Sequence, residues 1–203
     1  MSALLVDPRI EFFDRHAPQW DSYGPPIEQT LCRLEELQPL MDFRAGEQVL
    51  EVGCGTGQVT AWLAGKVAPG RVTAVDFSAR MLDHARGRGV DADFRCADVC
   101  SDDLGADCFD AVFCMHVAPH FRDHGEAIRR LARCLKRGGR LIVLHLVGRN
   151  RVNAIHADVG GPVASDHLPD LARWKELFLE TSLSLTRTID EDQLFLLVAH
   201  RQE

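Results

Sequence analysis

The 203-residue chain contains no apolar run of the roughly 18 residues that a bilayer-spanning helix needs. Residues 1–18 also lack the basic-then-apolar layout of a secretory leader, because Asp7, Arg9, Glu11, Asp14 and Arg15 interrupt it. Neither secretion nor membrane insertion is expected, and a cytoplasmic location is. Basic charge is in short supply: 23 Lys and Arg face 30 Asp and Glu, for a net charge of −7. Such a chain does not hold polyanions by bulk charge. Arg129, Arg130, Arg133, Lys136 and Arg137 do cluster, but at spacings that suit the solvated back of a helix. No basic stripe with interleaved aromatics occurs, so no nucleic-acid partner is expected.

Paired metal-knot cysteines are missing too. The seven cysteines form no C-x-x-C pair, and the odd number leaves at least one thiol unpaired within the chain. Cys54, Cys96, Cys100, Cys108, Cys114 and Cys134 lie in or beside apolar segments, where thiols act as small core residues. They read as reduced, and no metal site is expected from them. Repeats, low-complexity tracts and linkers are absent.

What is present is alternation. Residues 48–52, 71–75, 92–96, 109–115 and 140–147 are short apolar strands, and helices are expected over 60–67, 78–86 and 124–135. Ser78 suits an N-cap, and Gly138-Gly139 suits the end of the last of these helices. Before them, Pro25-Pro26 separates helices over 8–16 and 27–41, the second with one apolar stripe. After them, helices over 150–159 and 168–180 lead to strands over 182–189 and 193–200, joined by a turn at 190–192. Together they predict an α/β fold: a doubly wound, mostly parallel seven-stranded sheet closed by a C-terminal antiparallel hairpin. Residues 1–45 are expected to form a helical lid. Residues 46–203 form the main domain, with 148–170 inserted over the site.

The strongest chemical signal is the strand that ends in Glu51-Val52-Gly53-Cys54-Gly55-Thr56-Gly57 and runs into a helix. Glycines there allow a tight turn and a close ligand approach, and the helix start offers free N–H groups. Asp76 closes the next strand, nineteen residues beyond Gly57, where a carboxylate can accept both hydroxyls of a ribose. Asp98 closes the third strand, where it can accept an amino N–H from an adenine.

These segments resemble class I S-adenosylmethionine-dependent methyltransferases. Residues 51–57 are similar to the first motif of that superfamily, Val75-Asp76-Phe77-Ser78 to its second-strand motif, and Cys96-Ala97-Asp98-Val99 to its third. Phe109-Asp110-Ala111-Val112 and the stretch 135–141 match its fourth strand, following helix and fifth strand. The resemblance is to small stand-alone enzymes of the quinone-methylase type, whose lead-in is similar to residues 12–21. It implies a Rossmann-like methyltransferase fold, S-adenosylmethionine as cofactor and a small-molecule acceptor. Gly53, Cys54, Gly55 and Gly57 would line the methionine and ribose part. Glu51 would organise the loop or the methionine ammonium. Asp76 would take the ribose hydroxyls, Phe77 would pack on adenine, Asp98 and Val99 would read its edge, and Cys114 would lie beside the methionyl group.

Ligands of open α/β sheets bind beyond the carboxyl ends of the strands. Histidines crowd there: His116 and His120 follow the fourth strand, His145 ends the fifth, and His156 shares a helical face with Val152, Ile155 and Val159. His120, His145 and His156 are the candidate catalytic residues, expected to converge at the acceptor. A histidine suits removal of an acceptor proton. Alternatively His120 is structural, or several of the histidines hold a metal that activates a thiol. The acceptor atom, sulfur, oxygen or nitrogen, stays open, as does the choice between monomer and homodimer. Two rivals remain. A nicotinamide-dependent oxidoreductase would want G-x-G-x-x-G, but the third glycine comes one residue early. A non-catalytic S-adenosylmethionine-binding module would share the same motifs.

Overall fold

A computed structural model describes residues 7–202. The expectations that touch residues 1–6 and 203, the outermost parts of the lid and the main domain, lie outside the described residues. The strands are β1 (Gln48–Val52), β2 (Arg71–Asp76), β3 (Asp93–Cys96), β4 (Phe109–Met115), β5 (Leu135–His145), β6 (Leu183–Glu191) and β7 (Leu194–Arg201). They form one sheet in the order β3-β2-β1-β4-β5-β7-β6. The first five run parallel, and β7 enters antiparallel between β5 and β6. Strand order reverses between β1 and β4, which leaves a crevice at their carboxyl ends.

Period-two alternation sorts side chains to two cores. On one face Leu50, Val112, Leu141 and Val143 meet α5 (His124–Cys134) and α7 (Leu171–Leu179) through Ile128, Leu131, Trp174 and Leu177. On the other face Val49, Val72, Phe113 and Ile142 meet α2 (Ile27–Met41), α3 (Thr60–Val67) and α4 (Ala79–Gly87) through Leu34, Met41, Leu63 and Leu82. Ser78 caps α4, accepting from the Met81 N–H at 3.1 Å. Two helices remain, α1 (Pro8–His16) and α6 (Arg149–Val159), and both border the crevice. No described helix is long and apolar enough to cross a membrane.

Several boundaries differ from expectation. Gly138-Gly139 does not end α5; the helix stops at Cys134 and β5 begins at Leu135. The glycines instead sit where the pairing of β4 with β5 shifts register between Phe109 and Ala111. Helix α7 starts at Leu171 rather than 168, because Pro169 precedes Asp170, whose carboxylate caps it. β6 runs on through Glu191, so residues 190 and 191 pair in the ladder instead of forming the turn. Helix α2 buries Leu34, Leu37 and Met41 in the core, while Phe13 of α1, Trp20 of the short 3₁₀ turn Ala17–Ser22, and Tyr23 and Thr30 beyond it border the crevice. Cys54, Cys100, Cys114 and Cys134 are buried, whereas Cys32, Cys96 and Cys108 are exposed; all are free thiols.

One polar tie joins the core to its rim. Arg140 is 7% exposed, pairs with Glu47 at 2.8 Å and donates to the carbonyls of Met41 and Asp42 at the end of α2. It therefore satisfies carbonyls that the helix leaves open. Removing Glu47 strands a buried charge, so Glu47→Ala is expected to cost about 3 kcal/mol, measured by urea denaturation.

Candidate active site

β1 leads straight into the glycine loop. Gly53 has φ +67°, and a Cβ there would stand 2.3 Å from the Val117 Cγ2. No side chain fits. The Gly53 and Cys54 N–H groups both donate to the Val75 carbonyl, at 2.8 and 3.0 Å. Asp76, at the tip of β2, accepts from the Gly55 N–H at 2.8 Å and from the Ser78 N–H at 2.9 Å. Burial raises its pKa to about 6. Glu51 is 4% exposed, and its Oε2 has no hydrogen-bond partner. Burial, with the Asp76 charge nearby, pushes its pKa up to about 7.

These residues open onto a cavity of about 530 Å³, large enough for a cofactor-sized ligand. Glu51, Gly53, Cys54, Gly55, Asp76, Phe77, Asp98 and Val99 line it. Two expected residues do not. Gly57 has φ +76° and faces Ala85 of α4, where a Cβ would come within 3.0 Å, so it serves helix packing instead of a ligand. Cys114 is fully buried among the side chains beneath the sheet, because strand alternation turns it away; Met115 and His116 line the cavity in its place. Asp98 accepts from the Cys100 N–H at 2.8 Å and pairs with Arg122 at 3.1 Å.

The cover closes over this loop from above. Phe13, Trp20 and Tyr23 line the cavity. Asp14 accepts from the Ser78 hydroxyl at 2.6 Å and from the Arg80 N–H at 3.3 Å. Asp21 accepts from the Thr56 hydroxyl and pairs with Arg88.

Histidines also line the cavity. His116, His120, His145 and His156 all border the same cavity, so the three candidate catalytic residues do come together. The His120 and His156 rings meet edge to face at 4.8 Å, and His116 meets His145 at 5.2 Å. Burial lowers the pKa of His145 well below the ordinary value, with neighbouring imidazoles adding to the effect. Burial and His120 lower that of His156. His116 is exposed and borders the cavity. His145 Nε2 is buried without a partner. His120 Nδ1 lies 2.7 Å from the Asp166 Oδ2, an interaction no local spacing announced. Among the described residues no three His, Cys, Asp or Glu side chains are grouped to hold a metal ion. No Lys or Arg is among the described residues lining the cavity.

A methyltransferase-domain family model matches residues 50–143. The chain is 33% identical over 177 residues to the ubiquinone biosynthesis O-methyltransferase of Chromobacterium violaceum, covering 79% of this chain and 71% of that one. It is 32% identical over 144 residues to the methyltransferase GfsG of Streptomyces halstedii, covering 68% of this chain and 51% of that protein. A third relative, the ubiquinone biosynthesis O-methyltransferase of Xanthomonas oryzae pv. oryzae, is 36% identical over 148 residues, covering 68% of this chain and 59% of its own length. The chain thus spans about half the length of GfsG and somewhat more of the Xanthomonas protein. Among solved structures, an S-adenosylmethionine-dependent methyltransferase from Aquifex aeolicus superposes with a TM-score of 0.74 at 17% identity, covering 93% of this chain and 98% of that one. The methyltransferase solved with the Trm112 activator of Haloferax volcanii gives 0.75 at 18% identity, covering 94% and 98%.

The fold and the glycine loop thus define a class I S-adenosylmethionine-dependent methyltransferase. The chain belongs to that superfamily, its cofactor is S-adenosylmethionine, and the nicotinamide reading falls away. The residues present fit such a ligand. Glu51 offers an unpaired buried acceptor beside the glycine loop, and both border the cavity.

The raised pKa of Glu51 has a consequence for stability. The folded state holds this proton more tightly than the unfolded chain does. Its contribution is therefore fully present below pH 4.5 and is lost as pH rises towards about 7. In ligand-free protein, Glu51→Gln is expected to gain in Tm relative to wild type between pH 5 and pH 8. A constant Tm difference across that range would show that Glu51 ionises normally.

Proposed function

We propose that this protein transfers a methyl group from S-adenosylmethionine to a hydroxyl oxygen of a small, uncharged acceptor, with His120 taking the hydroxyl proton. One observation carries the reading: a histidine with one ring nitrogen fixed by a carboxylate shares a cavity with the glycine loop. With Nδ1 engaged, Nε2 is the nitrogen left to meet an acceptor. The relatives named O-methyltransferases support oxygen as the acceptor atom.

Glu51 would accept from the methionine ammonium, Asp76 from the ribose hydroxyls, and Phe77 would pack on adenine beside Asp98 and Val99. When bound, the cofactor supplies an electrophilic methyl group on a positively charged sulfur. The chain's own work is to hold the acceptor in line, exclude water and remove a proton. Phe13, Trp20 and Tyr23 cover the cavity against water. The low pKa values of His145 and His156 keep both rings uncharged, able to donate one hydrogen bond and accept another. A lining without Lys or Arg offers no fixed partner for a phosphate or carboxylate.

Titration calorimetry with S-adenosylhomocysteine tests the cofactor half. Asp76→Ala is expected to weaken binding at least tenfold; wild-type affinity in that variant would refute the assignment. Affinity is also expected to rise with pH through 6–7 as Glu51 ionises to meet the ammonium, and Glu51→Gln should lose that dependence. The acceptor half is tested with matched phenols, alcohols, thiols, amines and acids. Uncharged hydroxyl compounds should turn over, and His120→Ala should lower kcat by about 10²–10⁴-fold. Cofactor binding without methylation of any hydroxyl compound would leave a binding module rather than this enzyme.

A further inference from the structure

Three segments far apart in sequence meet at His120. Arg9 comes from α1, His120 from the 3₁₀ turn after β4, and Asp166 from the loop beyond α6. One terminal nitrogen of Arg9 donates to the His120 carbonyl at 3.0 Å and approaches the Asp166 Oδ1 at 3.4 Å. The rest of the guanidinium grips Asp7, the N-cap of α1, at 2.6–3.2 Å. Arg9 and Asp166 are each only 8% exposed. The Asp166 backbone is held as well. Its N–H donates to the Val163 carbonyl at 3.0 Å, and the Asn153 amide clamps both the N–H and the carbonyl of Leu168.

Burying a carboxylate and a guanidinium together adds little stability, because desolvation offsets most of their attraction. Such a pair does fix geometry. We infer that Asp166 is a positioning residue that holds His120 as the Nδ1–H tautomer, with the Nε2 lone pair facing the acceptor. Through Arg9, this arrangement forms only when α1 is docked. The inference rests on the proposed role of His120 as proton acceptor. In that step Nε2 takes the hydroxyl proton while an oxygen lone pair forms the new carbon–oxygen bond. The carbon–sulfur bond of the donor breaks, its electron pair staying on sulfur. The positive charge that began on sulfur ends on the imidazolium, opposite the Asp166 carboxylate, and the proton then passes to solvent.

Other groups face His120 from every side. Phe13 of α1 packs edge-on at 4.9 Å and His156 of α6 at 4.8 Å. His145 of β5 and Asp76 of β2 line the same cavity. Asp166 is the hydrogen-bond partner of Nδ1 among the described residues.

Nitrogen-15 NMR of the histidine rings, in the full chain with S-adenosylhomocysteine, reads the tautomer without any turnover. The expected result is Nδ1–H at His120 in the wild type. In Asp166→Asn the ring should give a mixture of tautomers, because Nδ1–H loses its carboxylate acceptor. The same variant should lose about 10²–10³-fold in kcat, while acceptor KM and S-adenosylhomocysteine affinity stay within twofold. Asp166→Glu should recover part of the loss. An Nε2–H tautomer in the wild type, or a single Nδ1–H tautomer in Asp166→Asn, overturns the positioning role. Should Asp166→Asn fail to fold, the wild-type tautomer still decides. For the coupling, Arg9→Met should speed amide exchange across residues 9–16 and give a mixture of tautomers. A helix that stays protected, or a single tautomer over a loosened helix, overturns it. Failure of every hydroxyl acceptor would refute the proposed function alone and leave these ring readouts standing.

Discussion

The backbone turn at the end of β1 is the constraint from which the site follows. The Val75 carbonyl takes two N–H groups, from Gly53 and Cys54, and draws the chain back across the end of β2. Val117 closes the space a side chain at 53 would need. The same turn presents the Gly55 N–H to Asp76, and Asp76 also holds the Ser78 N–H, where α4 begins. Loop, carboxylate and helix start are thus one mechanical unit. The cover hangs on that unit, since Asp14 bonds Ser78 and Asp21 bonds Thr56. A disturbance at position 53 would reach α1 by this route and, through Arg9, His120.

Three carboxylates, Glu51, Asp76 and Asp98, and four imidazoles line one cavity. Burial holds Glu51 and Asp76 partly protonated near neutral pH, whereas Asp98 pairs with Arg122. The same burial keeps His145 and His156 neutral. A cationic ligand beside Glu51 favours the ionised carboxylate.

The sheet was legible in the sequence because its signals are local. Apolar runs such as 109–115, bounded by polar residues, can only be buried strands. Glycines before a helix, with Asp76 and Asp98 at successive strand tips, mark the ligand crevice. Boundaries failed where a local signal had a second use. Gly138-Gly139 is as good a bulge as a helix end, and only pairing with β4 decides between them. Cys114 failed for a simpler reason: one residue of strand register turns a side chain from crevice to core. Asp166 and Arg9 left no local trace. Their meaning exists only through His120, 46 and 111 residues away, and no periodicity spans such distances. The crowd of histidines was visible, but which of them a carboxylate would orient was not.

A hydroxyl acceptor sets a problem that the architecture meets. Water is also a hydroxyl nucleophile, so a site that deprotonates hydroxyl groups beside an activated methyl must keep water out while its base is competent. α1 and the 3₁₀ turn that follows it carry both halves of the answer: Phe13 and Trp20, which close the cavity, and Arg9, which bridges Asp166 and His120. On the proposed reading, undocking of α1 would remove both the cover and the bridge that holds the base. Placing both functions on one short segment would couple exclusion of water to activation of the acceptor, which is a use for a buried arginine beside the site.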